Sequence, residues 1–190
     1  MLKNLLRRLQ KISNAKNFGV LLVAYGLYTP VFFFADVPFG LIKIKPHAQG
    51  SNILDVELFY SAEQAYQRLA LFGAPGRAVY YHILMGDLIY PALLGGLLSV
   101  SITWLFRRLN FSGAYWPCLG LLPLVNMAFD YTEDALLLTL LANYPAQLPW
   151  IATAAGLATL SKNIFGMLSF LVLGLGLLAL LFRKFSVQRA

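Results

Sequence analysis

The chain has 190 residues but only one cysteine, Cys118, and two histidines, His47 and His82. A lone cysteine excludes an intrachain disulfide and any cysteine-based metal centre. No pair of histidines stands at zinc-binding spacing. His82 precedes Asp87 by five residues, which puts the two on different faces of a helix. No serine lies in a nucleophile elbow. Charge is scarce: 12% of residues are charged, against about 25% in a typical soluble domain. Acids are missing altogether from residues 1–17, 107–113 and 183–190. Those stretches hold Lys3, Arg7, Arg8, Lys11, Lys16, Arg107, Arg108, Arg183, Lys184 and Arg189.

What the sequence does have is apolar length: 59% of residues are hydrophobic. Four runs, at about 18–35, 79–106, 114–141 and 164–182, are near or above the roughly 20 residues that cross a bilayer. The second and third exceed that length, so they tilt or project. The basic stretches flank these runs and the acids lie elsewhere, which is the positive-inside pattern of a multi-pass protein with both termini cytoplasmic. The expected fold class is therefore all-α: a single integral membrane four-helix bundle spanning 1–190. The expected location is a bacterial cytoplasmic (inner) membrane. The net charge of +7 points to anionic lipid headgroups, and no nucleic-acid partner is expected. The N-terminal run is long and no small-residue cleavage site follows it, so it reads as a retained helix. Ahead of it, Leu2, Leu5, Leu6, Leu9 and Ile12 recur at helical spacing between Arg7, Arg8 and Lys11. Residues 1–17 thus read either as a basic amphipathic segment on the inner leaflet or as a plain helical extension. Cys118, in an apolar run, reads as a packing residue.

Two outer segments remain. Residues 37–77 form the larger one. Within it Ser61-Ala62-Glu63-Gln64 fits a capping box. It predicts a short helix from Ser61 to Phe72 on the rim of the bundle, stopped by Gly73, Pro75 and Gly76. In residues 142–163, Tyr144-Pro145 marks a turn. The stretch from Pro149 to Leu160 is too weakly apolar for a span, and an interfacial or re-entrant helix ending at Lys162 is expected there.

Counting about 20 residues inward from each cytoplasmic boundary reaches an ionisable group on every helix. The count arrives near Asp36, Asp87, Asp134 and Lys162. Asn126, Asp130 and Glu133 lie at i, i+4 and i+7 and share a face, with Asp134 at its edge. Tyr80, Asp87, Tyr90 and Pro91 share a face of the second helix. Ionisable groups in a membrane are costly and usually face the bundle interior or a water-filled cavity. The candidate binding residues are accordingly Asp87, Tyr90, Asn126, Asp130, Glu133 and Lys162, around a polar vestibule opening outward. Asp87, Asp130 and Glu133 are the candidates for acid/base or cation-binding work, because clustered carboxylates can share a proton. Lys162 or Arg77 is the available counter-ion. The simpler reading makes Asp36, Asp134 and Lys162 interfacial groups in headgroup water, Asp87 and Asp130 structural partners, and Asn126 an interhelical hydrogen-bond donor. A carboxylate-only divalent site of Asp87, Asp130 and Glu133 is a minor alternative; no metal and no cofactor is expected.

Several local patterns occur together: Tyr60-Ser61-x-Glu63, Leu71-x-Gly73-x-x-Gly76-Arg77-x-x-Tyr80, Asp87-x-x-x-Pro91, Asp130-x-x-Glu133, Tyr144-Pro145 and Lys162. In these the chain resembles small bacterial four-helix membrane proteins, over residues 60–182. The resemblance implies the fold and these residues, and no activity. An amide would be expected after the acid at 133, where this chain has Asp134. In architecture alone it also resembles the EXPERA group of sterol isomerases and sigma-2-like proteins, which implies a cavity for a sterol-like or cationic amphiphile.

The expected function is the binding or transformation of an amphiphilic or lipidic ligand from the outer leaflet. A ligand site of this kind calls for an apolar cavity below the acids, walled by Tyr25, Tyr28, Phe32 or Tyr90. The alternatives are a non-catalytic accessory subunit of a membrane complex, with partner membrane subunits, and a small cation- or proton-coupled transporter, which would need a homodimer.

Overall fold

The computed structural model describes residues 2–111 and 116–187, with side chains through Arg183. Every regular element among the described residues is a helix. In chain order these are α1 (Leu2–Ile12), α2 (Ala15–Phe34), α3 (Lys45–Ala48), α4 (Ala62–Leu71), α5 (Gly73–Asp87), α6 (Tyr90–Arg108), α7 (Trp116–Leu119), α8 (Leu122–Asn143) and α9 (Pro149–Val187), with 3-10 turns at Leu41–Ile44 and Leu54–Val56. Three stretches are long and apolar enough to cross a membrane: Ala15–Phe34, Gly73–Arg108 and Pro149–Arg183. The expected third span begins at Ala114, outside the described residues. Its helical part, α8, carries Asp130, Glu133 and Asp134 and does not qualify on composition. α8 packs along α9 and against α6, and α2 packs on α6.

The second span is not one straight helix. Leu88 and Ile89 separate α5 from α6. Pro91 has no N–H to offer the carbonyl of Asp87, four residues earlier, so the helix breaks there. The Tyr131 hydroxyl donates to the Leu88 carbonyl at 2.9 Å and fixes the break against α8.

The weak stretch from Pro149 is neither re-entrant nor separate. α9 runs unbroken for 39 residues. Alanine keeps helix propensity high where hydropathy falls, so the drop in apolarity marks a change of surroundings and not a helix end. Ala152 and Ala155 are buried in one core with residues of the 37–77 segment. At Gly156 a Cβ would overlap the carbonyl oxygen of Tyr60, so only glycine permits this approach.

Residues 37–77 do more than lie on the rim. The capping box forms: Gln64 N–H donates to Ser61 Oγ at 3.2 Å, and Ser61 N–H to Gln64 Oε1 at 2.8 Å. α4 then ends at Leu71, and Gly73 takes a φ of +63° that suits glycine. Pro75 and Gly76 do not stop a helix; they lie in the first turn of α5. Ile44, Ala48, Ile53, Leu54, Tyr60, Ala65, Leu69 and Phe72 are buried in a core shared with Tyr80, Ile83, Leu84, Leu137 and Leu140. The segment is a folded cap over one end of the helices.

The basic stretches meet at the other end. Arg107 donates to the carbonyls of Gln10 (2.5 Å) and Ser13 (3.2 Å), and Arg183 to those of Arg108 (3.3 Å) and Leu109 (3.1 Å). α1 is thereby tied to the end of α6, with Leu9 buried and Leu2, Leu5 and Ile12 exposed. Cys118 is half-buried, so it is not a core residue. Ser112 and Gly113 of the 107–113 linker, and Arg189, lie outside the described residues.

Candidate functional site

α8 supplies three of the acids, because the spacing of Asp130, Glu133 and Asp134 turns them toward α9 and the break in the second span. Lys162 of α9 reaches between them. Its ammonium lies 2.6 Å from Asp130 Oδ1 and 2.7 Å from Glu133 Oε2. Lys162 is 8% exposed and Glu133 0%. An ion pair this deep costs a large desolvation penalty, offset only by close geometry and further hydrogen bonds. Glu133 has both: Thr159 Oγ1 donates to its Oε1 at 2.5 Å, and the Tyr60 hydroxyl at 3.2 Å. Asn126 donates to the Lys162 carbonyl at 2.7 Å, an interhelical tie.

Asp134 and Lys162 are not in headgroup water: Asp134 is 0% exposed, and neither carboxylate oxygen has a hydrogen-bond partner. Arg77 does not serve the acids. It donates to the Leu69 carbonyl at 2.9 Å and stacks on the Tyr144 ring. Asp36, by contrast, is an exposed group that pairs with Lys43.

Asp87, at the end of α5, is buried beside α8. One carboxylate oxygen each from Asp87, Asp130 and Asp134 lies within 4.8 Å of the other two. The helix break at Leu88 and the short step to Pro91 bring Asp87 to this place.

Four residues outside the sequence-derived set complete the constellation. Asp55 of the cap is buried and accepts from the Tyr80 hydroxyl at 2.8 Å; its other oxygen has no partner. Burial pushes its carboxyl well above the usual range, and Glu133 adds to this, against the pull of Lys162 and the Tyr80 bond. Tyr60, also in the cap, has its hydroxyl raised by burial and then by Glu133, so it stays a donor. Thr159 and Tyr80 are the others. Of these, Tyr80 carried a signal in the sequence as a member of the Asp87 face, and Tyr60 and Tyr80 both stand in the patterns of the resemblance; Asp55 and Thr159 carried none.

A cleft of about 500 Å³ adjoins the cluster. Asp55, Asn126, Asp130, Lys162 and Asn163 form its polar end. Leu94, Leu98, Met167 and Phe170 form its apolar end, with Phe33 and Tyr90 at the side. Of the expected aromatic walls only Tyr90 lines it. Tyr25 reaches it indirectly, through a 3.3 Å contact between its hydroxyl and that of Tyr90. Phe32 is core, and Tyr28 donates to the Gly86 carbonyl at 2.6 Å. Asp87 and Glu133 do not line the cleft; they lie behind it. Met167 and Phe170 are exposed on the apolar flank of α9, so the cleft opens along that flank.

No family model matches this chain, and no curated protein or solved structure matches it significantly. The site's own geometry therefore carries the functional argument. It joins a charged, hydrogen-bonding end to an apolar trough in one groove. It also joins the cap to α8 and α9 through one buried glutamate, because Glu133 of α8 accepts from Tyr60 of the cap and from Thr159 of α9 and pairs with Lys162.

Proposed function

We propose that the protein is a multi-pass membrane protein, with four spans and both termini cytoplasmic, that binds an amphiphilic lipid in this cleft. The fourth span is α8, whose acids face inward and whose flanks need not be strongly apolar. The cap is then outside, and the membrane is a bacterial cytoplasmic (inner) membrane. The basic end of the molecule, tied together by Arg107 and Arg183, supports this orientation. Cysteines placed at Ser51 and Ser112 should separate under an impermeant thiol reagent on intact cells. Labelling at 51 and protection at 112 are expected, and the reverse would invert the topology.

The single observation behind lipid binding is the cleft itself: polar at Asp130 and Lys162, apolar at Leu94, Leu98 and Phe170, and open on the flank of a span. Most small-ligand sites are apolar concavities with a few convergent polar groups. A lateral mouth suits a molecule that arrives from within the bilayer. The polar end offers the carboxyl and carboxamide groups of Asp55, Asp130, Asn126 and Asn163 beside one lysine, so a headgroup rich in hydrogen-bond donors fits best.

Mass spectrometry of lipids retained by the purified protein tests this. One class of amphiphile is expected at near-stoichiometric amount, and Leu94→Trp, which fills the trough, should reduce it at least fivefold. Equal retention by parent and variant would remove the cleft as the site and leave an accessory, non-binding role.

A further inference from the structure

We infer that Asp87, Asp130 and Asp134 hold a divalent, oxygen-seeking cation of the calcium, manganese or magnesium class. Three carboxylates from two helices each place an oxygen within 4.8 Å of the other two. An ion with oxygens roughly 2.3–2.6 Å away, as calcium has, sets its ligand pairs about 3.3–5 Å apart. The 4.8 Å limit on the three oxygens does not exceed the upper end of that range. The second observation is Asp134. It is wholly buried, both its oxygens lack any hydrogen-bond partner, and one of them is aimed into the group. Buried carboxylates are otherwise paired, hydrogen-bonded or bound to metal.

Charge balance points the same way. Asp55, Asp87, Asp130, Glu133 and Asp134 are all buried, and Lys162 is the one cation among the described residues that pairs with any of them. Lys162 is committed to Asp130 and Glu133. A second positive group on the far side of Asp130 would neutralise Asp87 and Asp134. The donor set contains no histidine or cysteine, which disfavours zinc and copper and favours a hard cation. Asp130 lines the cleft as well, so the ion would anchor one wall of it. The cation site stands whether or not the cleft holds a lipid.

Mn²⁺ serves as the probe. The full-length protein in detergent, stripped with a chelator, is titrated with Mn²⁺ and followed by electron paramagnetic resonance at neutral pH. One saturable site per chain is expected, displaced by excess Ca²⁺ or Mg²⁺, with no nitrogen coupling in the pulsed spectrum. Asp87→Asn and Asp134→Asn should each weaken it at least tenfold. The parent's titration and spectrum decide the matter if a variant fails to fold. Absence of a saturable site, nitrogen coupling, or unchanged affinity in both asparagine variants would overturn the inference; the first result would mean that the cluster is neutralised by protons alone.

Discussion

Lys162→Met should cost the fold about 3–5 kcal/mol at pH 8, the usual penalty for leaving a buried partner uncompensated. Lys162 is the ammonium within 2.7 Å of both Asp130 and Glu133, and neither is exposed enough for water to replace it. The loss should shrink at low pH. Without the lysine the buried carboxylate charge has no counter-ion, and protons supplied at low pH can take its place. Stability then falls as pH rises above about 4. Thermal unfolding in detergent at pH 5 and pH 8, parent against variant, measures this. Lys43→Met is the control. Its partner Asp36 is exposed, and such pairs contribute about 0–1 kcal/mol. A deficit in Lys162→Met that is the same at both pH values would show that the lysine is not coupled to the acids.

Gly156→Leu is expected to detach the cap. Even a Cβ at this position overlaps the Tyr60 carbonyl oxygen, which is backbone and cannot rotate away. Overpacking typically costs about 1–3 kcal/mol, and here it also pulls the Tyr60 hydroxyl from Glu133. Hydrogen exchange should rise across residues 53–61 before the helices open. Gly174→Leu provides the comparison, because nothing lies within 4 Å of a Cβ there. If the two leucine variants exchange and melt alike, the contact between α9 and the cap does not hold the cap in place.

The acids on α8 were legible in the sequence because helix geometry is periodic. The spacing of Asp130 and Glu133 and the depth count to Lys162 need only 3.6 residues per turn and 1.5 Å per residue. The capping box at Ser61 was legible for a similar reason, since its partners lie three residues apart. Asp55 was not, and Tyr60 stood in a familiar pattern with nothing to place it at the cluster. They reach the cluster through the packing of an aperiodic segment, with Ile53, Leu54 and Leu69 in its core, and no local spacing encodes that docking. Asp134 was misread because its depth alone suggested headgroup water, and only the cap's position shows it to be sealed. The break between α5 and α6 could be suspected from Pro91, yet its value in delivering Asp87 to α8 depends on where α8 lies. The continuity of α9 was hidden because hydropathy measures surroundings, while helix formation depends on the backbone.

At 1.5 Å per residue, the 39 residues of α9 make a rod of about 58 Å, nearly twice the roughly 30 Å of bilayer hydrocarbon. Set in a membrane as proposed, it is a mast. Lys162 stands on it roughly 20 Å from its first residue, Pro149, and Gly156 carries the cap. A thinner bilayer makes a long helix lean, and a mast that leans takes its rigging with it. The lysine, the mouth of the cleft at Met167 and Phe170, and the cap's foothold at Gly156 all ride on one rigid rod. In the proposed membrane orientation, bilayer thickness acts on all three together through that one helix.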